Sequence, residues 1–204
     1  EDHSGNARAI TKPRSIPVFV HAITIEKLRA SFPILPYQHL IWGAAPPADI
    51  SPMPEKIETE NYTFEAIHTP GHARDHLSYY EPNQGWLFSG DLFLGEKIKY
   101  FRADEDFGAQ IESLRKLVKL DFDALFCNHN PKPTNGKQSL AAKLDYLETL
   151  QGNIHFHLKK GLGCREIMKQ LEIKEVYSAK LLCGGNVSAE NMVRLAIQSL
   201  SQKG

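Results

Sequence analysis

Tyr62–Asp91 reads YTFEAIHTPGHARDHLSYYEPNQGWLFSGD. Residues 62 to 67 (YTFEAI) alternate with aromatic and branched side chains, the period-two pattern of a strand. That strand runs into His68-Thr69-Pro70-Gly71-His72, where Pro-Gly turns the backbone sharply and leaves His72 just beyond a strand end. Leu77 to Tyr80 and Trp86 to Ser89 form a hairpin around Pro82-Asn83-Gln84-Gly85, and Gly90-Asp91 follows at once, so a carboxylate sits at the second strand's exit. Residues 122 to 127 (FDALFC) repeat the device: an apolar strand delivers Asn128-His129-Asn130-Pro131. Three strands thus end in His, Asp and His.

Imidazole and carboxylate ligands of this kind suit zinc or iron, and strand ends on a rigid sheet hold ligands to the tolerance that coordination needs. The chain opens on Glu1-Asp2-His3. An Asp-His pair at a chain end is usually solvated, and only the company of His72, Asp91 and His129 changes that reading.

Together these residues resemble the metallo-β-lactamase-fold hydrolases, whose HxHxDH motif is followed by a TPGH-type loop, a GD after a hairpin and a late strand-end His. Asp2-His3, His72, Asp91 and His129 match that order. The resemblance covers about residues 1 to 131 and implies an α/β fold, the αββα sandwich, followed by a helical appendage. The two His of HxHxDH and the family's first strands would lie before Glu1. The expectation is therefore a C-terminal portion of a longer polypeptide, with residues 1–131 from the sandwich and 132–204 as a helical extension. The resemblance also implies the roles. One metal would take His72 and the two upstream His. The second would take Asp2, His3 and His129, with Asp91 bridging both.

Two metals about 3.5 to 4 Å apart lower the pKa of a shared water toward 7 and polarise a carbonyl or phosphoryl group. The expected chemistry is hydrolysis by a metal-bound hydroxide, with Asp2 and Asp91 as the catalytic carboxylates. Zinc is the first choice of metal, with iron or manganese as alternatives. A small ester or thioester, as for the glyoxalase II-like members, is the preferred substrate. A second reading is a nuclease of the endoribonuclease-like kind, and a third is a non-catalytic fragment or a nucleic-acid or partner-binding module.

Charge bears on this choice. The chain is neutral overall, with 13 basic and 18 acidic residues through Pro131 and 11 basic and 6 acidic beyond it. The acidic portion lacks the stripe of cations a polyanion would need. At 204 residues and 42% hydrophobic content, the chain buries a sizeable core. No apolar run approaches the roughly 18 to 20 residues needed to span a bilayer. Cys127, Cys164 and Cys183 are odd in number and lack CxxC spacing, which fits thiols in a reducing cytoplasm. Missing strands would expose sheet edges, so homo-oligomers are compatible with the sequence.

Around this frame, Pro17 to His21 reads as a strand, and Thr24 caps a helix through Ile25 to Ala30. Residues 33 to 56, rich in Pro and Ala, read as a long surface loop, with Tyr37, His39 and Trp42 as candidate substrate-lining residues. Phe107 to Leu120, Leu140 to Ile154, Cys164 to Leu171 and a last segment capped by Ser188 carry helical spacing. The last three make a cover on the sandwich or a helix-turn-helix-like module. His68 suits a structural hydrogen bond, while Asp75 and His76 are placed to orient His72 through its second ring nitrogen. His155 and His157 are two apart on a helix and point away from one another.

Overall fold

The computed structural model describes residues 5–26, 33–43 and 46–201. The chain divides into two compact units, Glu1–Glu55 and Lys56–Gly204. In the first, α1 (Ala7–Thr11) precedes β1 (Val18–Val20), which pairs in parallel with β2 (Ile50–Pro52), Val18 opposite Ile50. Between them lies α2 (Pro36–Ile41).

One local expectation is corrected here. Residues 33 to 56 are not one irregular loop, since α2 and β2 fall inside it. Pro36 suits the first helical position, where no N–H is needed, and Gln38 Oε1 accepts the Leu35 N–H at 2.7 Å. Six helical residues make fewer than two turns, too short a window for periodicity to show. Thr24 ends a 3₁₀ turn, Ala22–Thr24, whose cap is His21, its Nδ1 accepting from Ile23 N–H at 3.3 Å, and helix begins at Ile25 directly after it. The helix expected to follow lies mostly outside the described residues.

The second unit is built on a five-stranded sheet: β3 (Lys56–Glu58), β4 (Thr63–His68), β5 (Leu77–Glu81), β6 (Trp86–Phe88) and β8 (Ala124–Phe126), in that spatial order. The first four form an antiparallel meander. β8 joins β6 in parallel, Phe88 opposite Phe126, and so needs a crossover, supplied by α3 (Phe107–Leu117). Asp106 caps α3, its Oδ1 accepting from Ala109 N–H at 2.9 Å, a contribution of about 1 kcal/mol. β7 (Phe101–Arg102) pairs instead with β9 (Val187–Ser188).

Period-two alternation sorts the sheet's two faces. Tyr80, Leu87 and Leu125 point to one side and join a buried core with Ile111, Leu114 and Leu117 of α3. Leu140, Leu147 and Ile154 of α4 (Gly136–Lys159) and Met192, Val193 and Ala196 of α7 (Ala189–Ser201) complete it. The helices after residue 132 thus share the core under the sheet. The other face carries Phe64, Trp86, Phe88 and Phe126, half-buried, with Phe88 and Phe126 stacked at 4.9 Å.

α5 (Cys164–Gln170) and α6 (Tyr177–Leu182) connect α4 to β9. Periodicity missed α6, which buries none of its residues and exposes Tyr177, Leu181 and Leu182. The Ser188 cap of α7 forms as expected, with Asn191 N–H donating to Ser188 Oγ at 3.0 Å. Among the described residues, no helix is long and apolar enough to cross a membrane.

Candidate metal centre

The loop after β4 is fastened along its length. Thr69 N–H donates to His76 O at 3.0 Å, Ser113 Oγ of α3 donates to Pro70 O at 2.7 Å, and Asp106 N–H donates to Gly71 O at 2.8 Å. Gly71 has φ +138°, and a Cβ there would run into the backbone and side chain of Gln110. Only glycine lets the loop lie against α3 in this way. Arg102 Nη2 then donates to His72 O at 2.9 Å.

Asp91 sits in a 3₁₀ turn, Gly90–Leu92, directly after β6. Gly90 has φ +50°, and a Cβ there would lie 2.7 Å from His76 Nε2, so glycine suits this position. His129 follows β8, in a turn where Asn130 N–H donates to Cys127 Sγ at 3.2 Å.

The three side chains meet at the carboxylate. His72 Nε2 lies 3.6 Å from Asp91 Oδ2, and His129 Nε2 lies 3.5 Å from Asp91 Oδ1. Both separations are long for hydrogen bonds. They approach the N···O spacing of about 3.4 Å that arises across a tetrahedral ion bound at about 2.0 to 2.2 Å to each atom. Each imidazole faces a different oxygen, one of the arrangements in which a carboxylate can be shared between two ions, and the donor types suit divalent metals. Among the described residues, no group of three or more His, Cys, Asp or Glu is arranged to hold an ion by itself. Each half of the site therefore needs ligands beyond these. Asp2 and His3, expected to serve the His129 half, lie outside the described residues.

Around this core, His72 Nδ1 lies 3.4 Å from Glu105 Oε1. Glu105 is itself held, by Arg102 N–H at 3.2 Å and by Gln110 Nε2 at 2.6 Å. A carboxylate on the far ring nitrogen fixes the tautomer and orientation of a ligating histidine. Asn128 Nδ2 donates to Asp91 Oδ1 at 3.4 Å. Below the turn, Lys143 of α4 donates to Leu92 O at 2.5 Å. Burial pulls its pKa down to about 8, against the opposing pull of Glu105, Asp91 and Cys127.

At the second ring nitrogen of His72 the structure places Glu105. His76 Nδ1 bonds Thr69 Oγ1 at 2.9 Å, which in turn meets Ser78 Oγ at 2.9 Å, and its ring lies 6.3 Å from that of His72. His68 Nε2 donates to Arg74 O at 2.8 Å, a structural bond. Tyr37, His39 and Trp42 belong to the first unit, on and just after α2. Tyr37 is buried there and meets Trp42 edge-on at 6.1 Å.

Sequence reading missed Glu105, Asn128 and Lys143. Glu105 lies 33 positions beyond His72, in an acidic run that reads as a helix start. Lys143 did carry a signal: it stands at a core position of the stripe Leu140, Leu147, Ile154, where a cation is out of place. A cavity of about 310 Å³ opens beside the His72 loop, lined by Arg74, Asp104, Glu105 and Asp106 among others. Three carboxylates against one guanidinium make it a poor host for a polyanion.

The family model described as the metallo-beta-lactamase superfamily matches residues 1–129. Hydroxyacylglutathione hydrolase of Legionella pneumophila is 46% identical over 77 residues, 37% of this chain and 30% of that protein. An atrochrysone carboxyl ACP thioesterase of Emericella nidulans is 29% identical over 106 residues, 51% of this chain and 34% of that protein. The chain thus spans about a third of the length of these curated relatives. The crystal structure of the metallo-beta-lactamase family protein TTHA1429 from Thermus thermophilus superposes with a TM-score of 0.67 at 16% identity. That match covers 98% of this chain and 71% of the other.

Proposed function

We propose, on the premise that this chain belongs to the metallo-beta-lactamase superfamily and has its α/β fold with a C-terminal helical region, that the protein is a metal-dependent hydrolase of small esters or thioesters. The observation that carries this reading is the Asp91 carboxylate, 7% exposed, with one imidazole 3.6 Å from one oxygen and a second 3.5 Å from the other. His72 and His129 would each hold one ion and Asp91 would bridge them, with Asp2 and His3 completing the His129 side. Zinc is the first candidate, then iron or manganese. Divalent ions held there supply Lewis acidity and bring the pKa of water toward neutrality.

The chain's own residues do the rest. Glu105, 3.4 Å from His72 Nδ1, would orient that ring, and Asn128 Nδ2 donates to Asp91 Oδ1. Asp91 would accept a hydrogen bond from the attacking water and orient it toward the acyl carbon. The preference for an acyl substrate is supported by relatives named as a hydrolase and a thioesterase. Two cations of the helical tail face carboxylates, which leaves them less available to a polyanion: Lys180 meets Glu190 at 2.8 Å and Glu175 at 3.2 Å, and Arg165 meets Glu190 at 3.8 Å.

The test is side-by-side hydrolysis of an S-acylglutathione, a p-nitrophenyl ester and a single-stranded RNA by zinc-loaded protein, with Asp91→Asn as control. Turnover of the acyl compounds that vanishes in the control supports the proposal. Cleavage of RNA alone, with a steep loss on adding salt, would replace it by the nuclease reading. No metal-dependent turnover at all would favour a binding module.

A further inference from the structure

Lys143 occupies the core-facing stripe of α4, and its side chain is among the most deeply buried in the molecule, at 1% exposure. Its Nζ ends on a backbone carbonyl, Leu92 O, at 2.5 Å. Leu92 closes the 3₁₀ turn that carries Asp91, so the lysine reaches from the helical layer to the underside of the metal centre. A methionine or leucine of similar volume would satisfy the core better, since taking a cation out of water costs several kcal/mol per ion. Stability alone therefore does not account for a lysine at this position.

We propose that Lys143 is a positioning residue for the metal centre: by holding the Leu92 carbonyl it fixes the turn that presents the Asp91 carboxylate between His72 and His129. The inference rests on Asp91 being the shared ligand. Positioning and simple electrostatics predict opposite signs, which makes the role separable. A buried cation repels divalent ions, so on Coulomb grounds its removal would tighten metal binding. If the lysine sets the carboxylate's position, its removal weakens binding, and outer-shell partners of metal ligands are worth about 10- to 100-fold in affinity.

The experiment is competition titration of zinc against a chromophoric chelator with metal-free protein, Lys143→Met and Asp91→Asn, each checked for folding by circular dichroism and thermal melting. The expected result is zinc affinity lowered about 10- to 100-fold in Lys143→Met, with a melting temperature of the metal-free variant equal to or above the unaltered protein's. Unchanged or tighter zinc binding in folded Lys143→Met, alongside loss of binding in Asp91→Asn, overturns the positioning role and leaves the site reading intact. Unchanged binding in Asp91→Asn overturns the site reading itself. Lys143→Gln, shorter and uncharged, provides the same comparison should the methionine variant fail to fold.

Discussion

His72 and His129 face opposite oxygens of Asp91 at 3.6 and 3.5 Å, yet the two sides of the carboxylate are built differently. The His72 side chain is 15% exposed, with its backbone held by Arg102, its loop pinned to α3 and its far nitrogen facing the buried Glu105. The His129 side chain is 58% exposed and follows a strand through a short turn, with Asn128 as a neighbour on the same Asp91 oxygen. One half is preorganised by the helical layer and the other opens to solvent. A substrate and its water would approach from the open side, while the closed side fixes the position of the bridging carboxylate.

The comparison is broken most completely by Asp91→Asn, which removes the group common to both halves. Metal content should fall at both positions and turnover drop by on the order of a hundredfold or more, beyond the range of an outer-shell change. Metal analysis after dialysis, beside the rate, checks this. Glu105→Gln sharpens the contrast: it should weaken the ion on the His72 side by about 10- to 100-fold and spare the His129 side, as read by cobalt titration in the visible spectrum.

The closed half also predicts a pH dependence through Lys143, whose ordinary value of 10.5 falls to about 8 in the fold. Between those values the unfolded chain binds one proton more than the folded one. The unfolding free energy of the metal-free protein should therefore rise with pH across that window, by up to about 1.4 kcal/mol per unit from this group. Below about 8, with the lysine charged in both states, the group adds no slope. Urea melts at several pH values, compared with Lys143→Met, isolate its share, and parallel slopes would contradict it. The smallest effect belongs to the open half: Asn128→Ala removes a long, half-solvated bond and should cost under about 1 kcal/mol, less than tenfold in metal affinity.

The same division explains what the sequence reveals. His72, Asp91 and His129 are legible because each follows a strand at a turn with local chemistry of its own: Pro-Gly, the hairpin exit and the break at Asn128-His129-Asn130. The hairpin and α3 are legible because their periods persist over enough residues. Glu105 is not, because its meeting with His72 depends on the path of β7 into α3, a tertiary fact with no short-range signature. The short helices α2 and α6 fail for another reason: each has six residues, and neither shows a full amphipathic repeat. Lys143 lies between these cases, visible as a charge on an apolar stripe but assigned a purpose only once Leu92 is seen above it.

The most direct measurement is anomalous diffraction at the metal absorption edge from crystals grown with zinc. The account predicts two peaks astride the Asp91 carboxylate, one against His72 Nε2 and the other against His129 Nε2. A single peak contacting both imidazoles, or ions bound without Asp91, would contradict it.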